Sequence, residues 1–295
     1  FATRTAVDAM YNNENQHIDK QFINLEQLIA SKNKKLLRIL PKFVLNRFKK
    51  LVHLDEINDA VYRYRDCKGA AFTDSVIHKE FNIKLEIENP ENIPYDDRAL
   101  IVANHPIGSI DGMALISIMG QKRSDILFPV NDLLCALPGL KGVFVPINKY
   151  GKNSSNHDVL NDAFRGDSIV MYFPAGTESK YINGVLQDFP WKKTFVKKAI
   201  EFERNVTPVY IEGMNSKRFY RFSKIRRFFG IKFDLEMILL PDEMFKYRNK
   251  TIKLTFGKPI PYSVFDKSKT HLEWAQSVRA HVYKLKDNPQ TDFVP

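Results

Sequence analysis

ALIVANHPIGSIDG, residues 99–112, is the stretch whose reading decides the fold. Its first five residues are apolar, too few for a helix and without alternation, which predicts a short strand buried on both faces. Asn104-His105-Pro106 follows at once. Gly108 and Gly112 then let the chain turn tightly before a helix that begins near Asp111. A strand buried on both faces belongs to a sheet covered by helices, and in open sheets of that kind the site forms just past the strands' carboxyl ends.

Outward from this stretch the same grammar repeats. Short apolar runs at residues 126–130, 143–147, 168–173 and 207–212 predict strands, with late strands at 235–240 and 252–256. Helical periodicity intervenes at 158–165, 195–203 and 271–285, and 81–87 alternates as a half-buried strand. Pro208 is expected at a strand start or on an edge strand, because it cannot donate to a ladder. The expected fold class is α/β: a mixed, mostly parallel central sheet flanked by helices, with an N-terminal helical region. Residues 1–75 form that region, partly basic and amphipathic, and 76–295 form the main domain.

The net charge of +11 is concentrated. Eight Lys and Arg between Ser31 and His53, and seven between Lys217 and Lys232, are accompanied by no acid, so the remainder of the chain is net acidic. Both segments interleave charge with large apolar residues, among them Phe43 and Phe48, and Phe222, Phe228 and Phe229. That composition suits an element lying on anionic lipid, where each basic residue adds about 1 kcal/mol. It also suits nucleic acid, or a helix whose lysines are merely solvated. No signal-peptide pattern is legible, and no stretch reaches the roughly 18 consecutive apolar residues of a spanning helix. The expected location is cytoplasmic, peripherally on the inner face of the membrane. Cys67 and Cys135 lie far apart and read as two reduced thiols, with no metal signature.

His105 is the candidate general base: it titrates near neutrality, and Asp111 can accept its other ring N–H and hold the useful tautomer. By pattern alone, a packed histidine with Asp111 as a helix cap explains the same residues. A second cluster, FPAGTES at 173–179, follows the strand at 168–173. Gly176 permits an unusual backbone angle there, and Thr177 with neighbouring N–H groups can bind an anionic or carbonyl oxygen. An ordinary Pro-Gly turn accounts for it equally. No GxSxG elbow, P-loop or GxGxxG is present.

Taken in order, these blocks resemble the glycerolipid acyltransferase superfamily, typified by the lysophosphatidic acid acyltransferases. The family's Asn-His-x4-Asp block is matched by Asn104-His105 to Asp111, its Phe-Pro-Glu-Gly-Thr-Arg-Ser block by Phe173 to Ser179, and its Val-Pro-Val strand by Thr207-Pro208-Val209. GVFVPINK, 142–149, stands where the second block belongs, and the match runs over roughly residues 80–265. Five residues rather than four separate His105 from Asp111, as in a haemolysin-like bacterial branch. Glu178 replaces the arginine that holds the acceptor's phosphate.

The resemblance implies O-acyl transfer from a thioester, acyl-CoA or acyl carrier protein, to a lysolipid hydroxyl, with no other cofactor, no metal and no covalent intermediate. His105 and Asp111 would be catalytic; Asn104, Gly108, Lys149, Gly176, Thr177 and Glu178 would bind substrate. Because a carboxylate repels phosphate, either Lys149 or Lys180 supplies the missing charge or the acceptor is a hydroxy-fatty-acyl amino acid, giving an aminolipid. The implied partners are an anionic membrane surface, the lysolipid and the thioester donor, rather than nucleic acid. The rivals are a binding protein in which this fold has lost activity, and a hydrolase using the same His/Asp pair.

Overall fold

The computed structural model describes residues 41–130, 137–146, 154–229 and 235–295, together with Glu26 and Arg38. Lys149, Cys135 and most of 1–40 lie outside the described residues.

Seven strands form one sheet in the order β1-β9-β8-β2-β5-β3-β4. They are β1 (Lys84–Glu88), β2 (Leu100–Ala103), β3 (Ile126–Val130), β4 (Phe144–Pro146), β5 (Ile169–Tyr172), β8 (Val206–Ile211) and β9 (Thr251–Phe256). All neighbours are parallel except β8 and β9, whose antiparallel register pairs Val209 with Phe256. The expected mixed, mostly parallel sheet is what forms. A small antiparallel hairpin, β6 (Lys180–Ile182) and β7 (Val185–Gln187), stands apart from it.

Strand period explains why both faces need cover. Ile101 and Ala103 of β2 join one apolar cluster, and Leu100 and Val102 join the other. Over the first face lies α4 (Ser109–Gly120), buried along most of its length, beside α3 (Ala70–Asp74). Over the second lie α6 (Thr194–Glu201) and α9 (His271–Lys284), carrying Phe195, Trp274 and Val278 into the cluster, with Trp191 from the segment before α6. The N-terminal elements α1 (Lys42–Leu51) and α2 (Leu54–Arg63) precede α3, which continues without a break into a π-helical segment, Ser75–Glu80. The expected boundary at 75 therefore falls inside one helical run. Val61, Phe72, Val76 and Ile77 share the core of the sheet's first face.

Two expectations are corrected. Residues 235–240 are not a strand: Leu235–Leu239 is a 3-10 turn that runs into α8 (Leu240–Phe245). An unbroken apolar run does not separate strand from helix, whereas Pro241 in the first turn followed by Asp242 and Glu243 is a helix start. Pro208 lies neither at an edge nor at a strand start, since β8 is interior, between β9 and β2. It is tolerated because the β9 register begins only at Val209, while Gly257 N–H donates to the Pro208 carbonyl.

Candidate active site

Three neighbouring strands, β8, β2 and β5, deliver their carboxyl ends to one rim of the sheet. From β2 comes the His105–Asp111 loop, from β5 the Phe173–Ser179 loop, and from β8 the turn at 212–216. His105 Nδ1 lies 2.9 Å from Asp111 Oδ2. The same Oδ2 accepts the backbone N–H groups of Ile107 at 2.9 Å and Gly108 at 3.0 Å. Asp111 is fully buried in the first turn of α4, where a carboxylate is favoured. With the Nδ1 proton held by Asp111, Nε2 of the neutral ring keeps its lone pair for an incoming proton.

The ring is also held flat. It stacks on Phe173 with centroids 4.0 Å apart and planes at 13°. Burial works against an imidazolium here, yet the Asp111 bond and charge, joined by Glu178 and Asp188, outweigh it and raise the His105 pKa above the ordinary value. Gly108 makes the turn possible: its φ of +114° and ψ of −133° suit glycine alone, and a Cβ there would stand 3.1 Å from Leu240.

Asn104 is bonded to the neighbouring strand. Its Nδ2 donates to the Ile211 carbonyl at 2.9 Å and its Oδ1 accepts the Ile211 N–H at 2.7 Å, pinning the end of β2 to the end of β8. Thr177 Oγ1 donates to Glu178 at 3.2 Å. Gly176 has φ +70°. Glu178 and Lys180 point inward: Lys180, 2 % exposed, lies 3.2 Å from Glu236 and 3.9 Å from Glu178, over the Phe219 ring. Glu236 pairs in turn with Arg226 at 2.6 Å, and burial, which favours its neutral form, is outweighed by Arg226, Ser223 and Lys180, so its carboxyl is held down at about 2.

Asp188 carries no motif, yet it staples the site. Its Oδ1 accepts the Ser179 hydroxyl at 2.6 Å and the His105 N–H at 3.3 Å, and its Oδ2 accepts Trp191 Nε1 at 2.9 Å. Ser179 N–H donates to the His105 carbonyl at 2.8 Å, so the two loops are bonded once directly and once through Asp188. Burial pushes the Asp188 pKa up, against these hydrogen bonds. Lys192 was equally unmarked: it is exposed, and a Cβ on Gly176 would lie 2.8 Å from its Nζ, which places a cation over the Gly176 turn. Among the described residues no group of three His, Cys, Asp or Glu gathers as metal ligands. The arrangement presents an oriented base at Nε2 beside a turn suited to an anion.

A family model described as acyltransferase matches residues 27–291. The lyso-glycine lipid O-acyltransferase of Bacteroides thetaiotaomicron is 42 % identical over 266 residues, spanning 89 % of this chain and 97 % of its own. The enzyme of the same name from Phocaeicola vulgatus is 41 % identical over 266 residues, spanning 89 % and 95 %. A solved structure, the 1-acyl-sn-glycerophosphate (LPA) acyltransferase PlsC of Thermotoga maritima, aligns over 97 % of this chain and 94 % of its own, at 16 % identity and a TM-score of 0.44.

Proposed function

The chain belongs to the acyltransferase family, and we propose that it moves a fatty acyl group from a thioester to the hydroxyl of a lyso-glycine lipid, with His105 as general base. The observation that carries the chemistry is the 2.9 Å contact between His105 Nδ1 and Asp111 Oδ2. It leaves Nε2 to take the acceptor's proton as the hydroxyl oxygen attacks the thioester carbonyl. Asp111 stabilises the resulting imidazolium. The Ile107 and Gly108 N–H groups already bind Asp111, so the tetrahedral oxyanion faces the turn at Gly176, Thr177 and Glu178, with Lys192 beside it. As the carbon–sulfur bond breaks, the imidazolium returns its proton to the thiolate, and no acyl-enzyme forms. Acyl-CoA and acyl carrier protein both fit as donors.

The acceptor reading is supported by the two relatives and by the carboxylate at 178. The acceptor resides in a membrane, and the surface suits one. No described helix is long and apolar enough to cross a bilayer. Instead, α7 (Lys217–Phe228) ends in Phe228, 85 % exposed and followed by Phe229, 70 % exposed, and it carries Arg221 and Lys224 in solvent. Phe43 on α1 is 73 % exposed, beside Lys42. Aromatic side chains set among cations anchor a protein peripherally on anionic lipid, here the inner face of the membrane.

The test is acyl transfer by the purified protein, with mass spectrometry of the product. The expected result is acylated glycine lipid formed faster than phosphatidate from lysophosphatidate, and no transfer by His105→Ala. Preference for lysophosphatidate overturns the acceptor assignment, and free fatty acid as sole product identifies a hydrolase.

A further inference from the structure

Past the carboxyl end of β8 the chain turns through Gly213, Met214, Asn215 and Ser216 into α7. This turn and the β6 hairpin border an open recess of about 250 Å³, lined by Tyr181, Met214, Asn215, Lys217 and Tyr220. Its walls are bonded to the catalytic loops. Asn215 Nδ2 donates to the Pro106 carbonyl at 3.3 Å, one residue from His105. Tyr181 stands two residues beyond Ser179, whose N–H binds the His105 carbonyl. The turn is pre-formed: Met214 N–H donates to Tyr247 Oη and Asn215 N–H to Tyr220 Oη, both at 2.9 Å.

Two polar groups of the recess have no partner among the described residues. Asn215 is 3 % exposed, and its donation to Pro106 fixes which end of the amide is which. Its Oδ1 is therefore a buried acceptor without a donor, a condition that costs about 1–3 kcal/mol until an N–H arrives. Lys217 is exposed and forms no ion pair among the described residues, whereas its neighbour Arg218 pairs with Asp242. The Glu243 carboxylate, which holds Ser216 at this turn, is already matched by Lys246 at 2.7 Å. Tyr181 and Tyr220, edge to face at 5.0 Å, form the apolar wall.

An acceptor for one N–H, a cation nearby and an aromatic wall describe the complement of an acylated amino acid. We propose that this recess binds the N-acylglycine headgroup of the acceptor: Asn215 Oδ1 receives the amide N–H and Lys217 pairs with the glycine carboxylate. The inference rests on the reading of the acceptor as a lyso-glycine lipid. Reach agrees with it. A hydroxyl two carbons beyond the amide carbonyl lies roughly 7 Å from the carboxylate in an extended chain, by standard bond lengths. Adjacent strands such as β2 and β8 are only about 4.8 Å apart, so a headgroup past β8 can present that hydroxyl past β2. A phosphate headgroup brings no N–H and leaves Asn215 Oδ1 unsatisfied, which disfavours lysophosphatidate.

The experiment is steady-state kinetics in neutral detergent micelles, where surface charge is removed as a cause. Acceptors are lyso-glycine lipid, its methyl ester, and an analogue with an ester oxygen in place of the amide N–H. For the wild-type protein the KM is expected to rise about tenfold on the methyl ester and severalfold on the ester-linked analogue, with kcat little changed. Lys217→Ala should raise the KM for the free carboxylate about tenfold and leave the methyl ester unaffected, and Lys217→Arg should restore most of the loss. Equal effects of Lys217→Ala on both acceptors, or indifference of the wild-type protein to both changes in the lipid, overturn the subsite while leaving the activity assigned. If the wild-type protein acylates another lysolipid and not this one, the functional reading fails and the subsite falls with it.

Discussion

Asp111→Asn separates two tasks that a catalytic carboxylate usually performs together. The oxygen that holds His105 also accepts the N–H groups of Ile107 and Gly108, at 2.9 and 3.0 Å. An asparagine amide nitrogen placed there would face two donors, so the new side chain must keep its carbonyl at that point. Its NH2 then takes the place of Oδ1, which is buried and has no partner among the described residues. The His105 tautomer survives, and only the charge is lost. A hydrogen bond to a charged group is worth about 1.5–3 kcal/mol and a neutral one about 0.5–1.5, so the imidazolium loses roughly 1–2 kcal/mol of support. That corresponds to a rate reduction of about 10- to 100-fold. In serine-protease triads, where the same substitution inverts the tautomer, the loss is about 10⁴.

Thiol release from the acyl thioester, followed as kcat/KM against pH, measures both consequences. The base must be neutral, so activity rises with pH through the His105 pKa, which lies above the ordinary value in the native protein. Removing the Asp111 charge takes away one of the influences that raise it, and burial is then less opposed. The rising limb should therefore move to lower pH by about one unit, since 1.36 kcal/mol is one unit. Wild-type rates, or a loss beyond about 10³ with an unmoved limb, would refute the reasoning.

Three further outcomes follow from buried charge. Arg204 is fully buried and donates to the carbonyls of Phe164 and Ser168 at 2.7 Å and Arg98 at 3.0 Å, which ties β2, β5 and the end of α5 (Ser154–Arg165); Arg204→Leu leaves these carbonyls without their donor, at about 1–3 kcal/mol each, and should destabilise by about 3–5 kcal/mol in urea titrations. Glu236, held at about 2 by Arg226, Ser223 and Lys180 against its own burial, contributes stability fully present above its unfolded value of 4.5 and lost as pH falls toward 2. Denaturation midpoints should fall across that window, and Glu236→Gln should flatten the dependence. Glu178→Arg, which restores the family's arginine to the Phe173–Ser179 block, should lower thermal stability and confer no activity on lysophosphatidate, measured as phosphatidate formed.

The parts of the fold legible in the sequence were those set by local period. The run at 99–103 has no polar side to offer, so it had to be a doubly covered strand, and β2 is Leu100–Ala103. The FPAGTES block was legible because a turn past a buried strand needs Gly176. Long-range facts were not. Asp188 acts on His105 from 83 residues away, and no local pattern marks a carboxylate that will be buried beneath a histidine's backbone. The β6–β7 hairpin was not legible either: Asn183 and Gly184 take positive φ at its turn, but the flanking strands are three residues each, too short for alternation to register. Glycerolipid acyltransferase membership rested on the order and spacing of the blocks, and the family match bears it out.

Glu178 looked like a conflict: a carboxylate where an acceptor phosphate is held, repelled unless a lysine intervened. Lys180 does intervene, but inwardly. It is enclosed by Glu178, Glu236 and the Phe219 ring, and Arg226 completes a cluster of two acids and two bases. Drawing Lys180 out toward a phosphate would leave two buried carboxylates with Arg226 as their one counter-charge, at about 3–5 kcal/mol. Glu178 therefore belongs to a charge-neutral brace for the loop beside His105, and the Phe173–Ser179 block has no free cation to lend. An anionic acceptor must find its counter-charge on another element. Of the three loops at this rim, the β8 turn leads directly into a lysine without an acid partner among the described residues, and it opens beside a buried amide oxygen that lacks a donor.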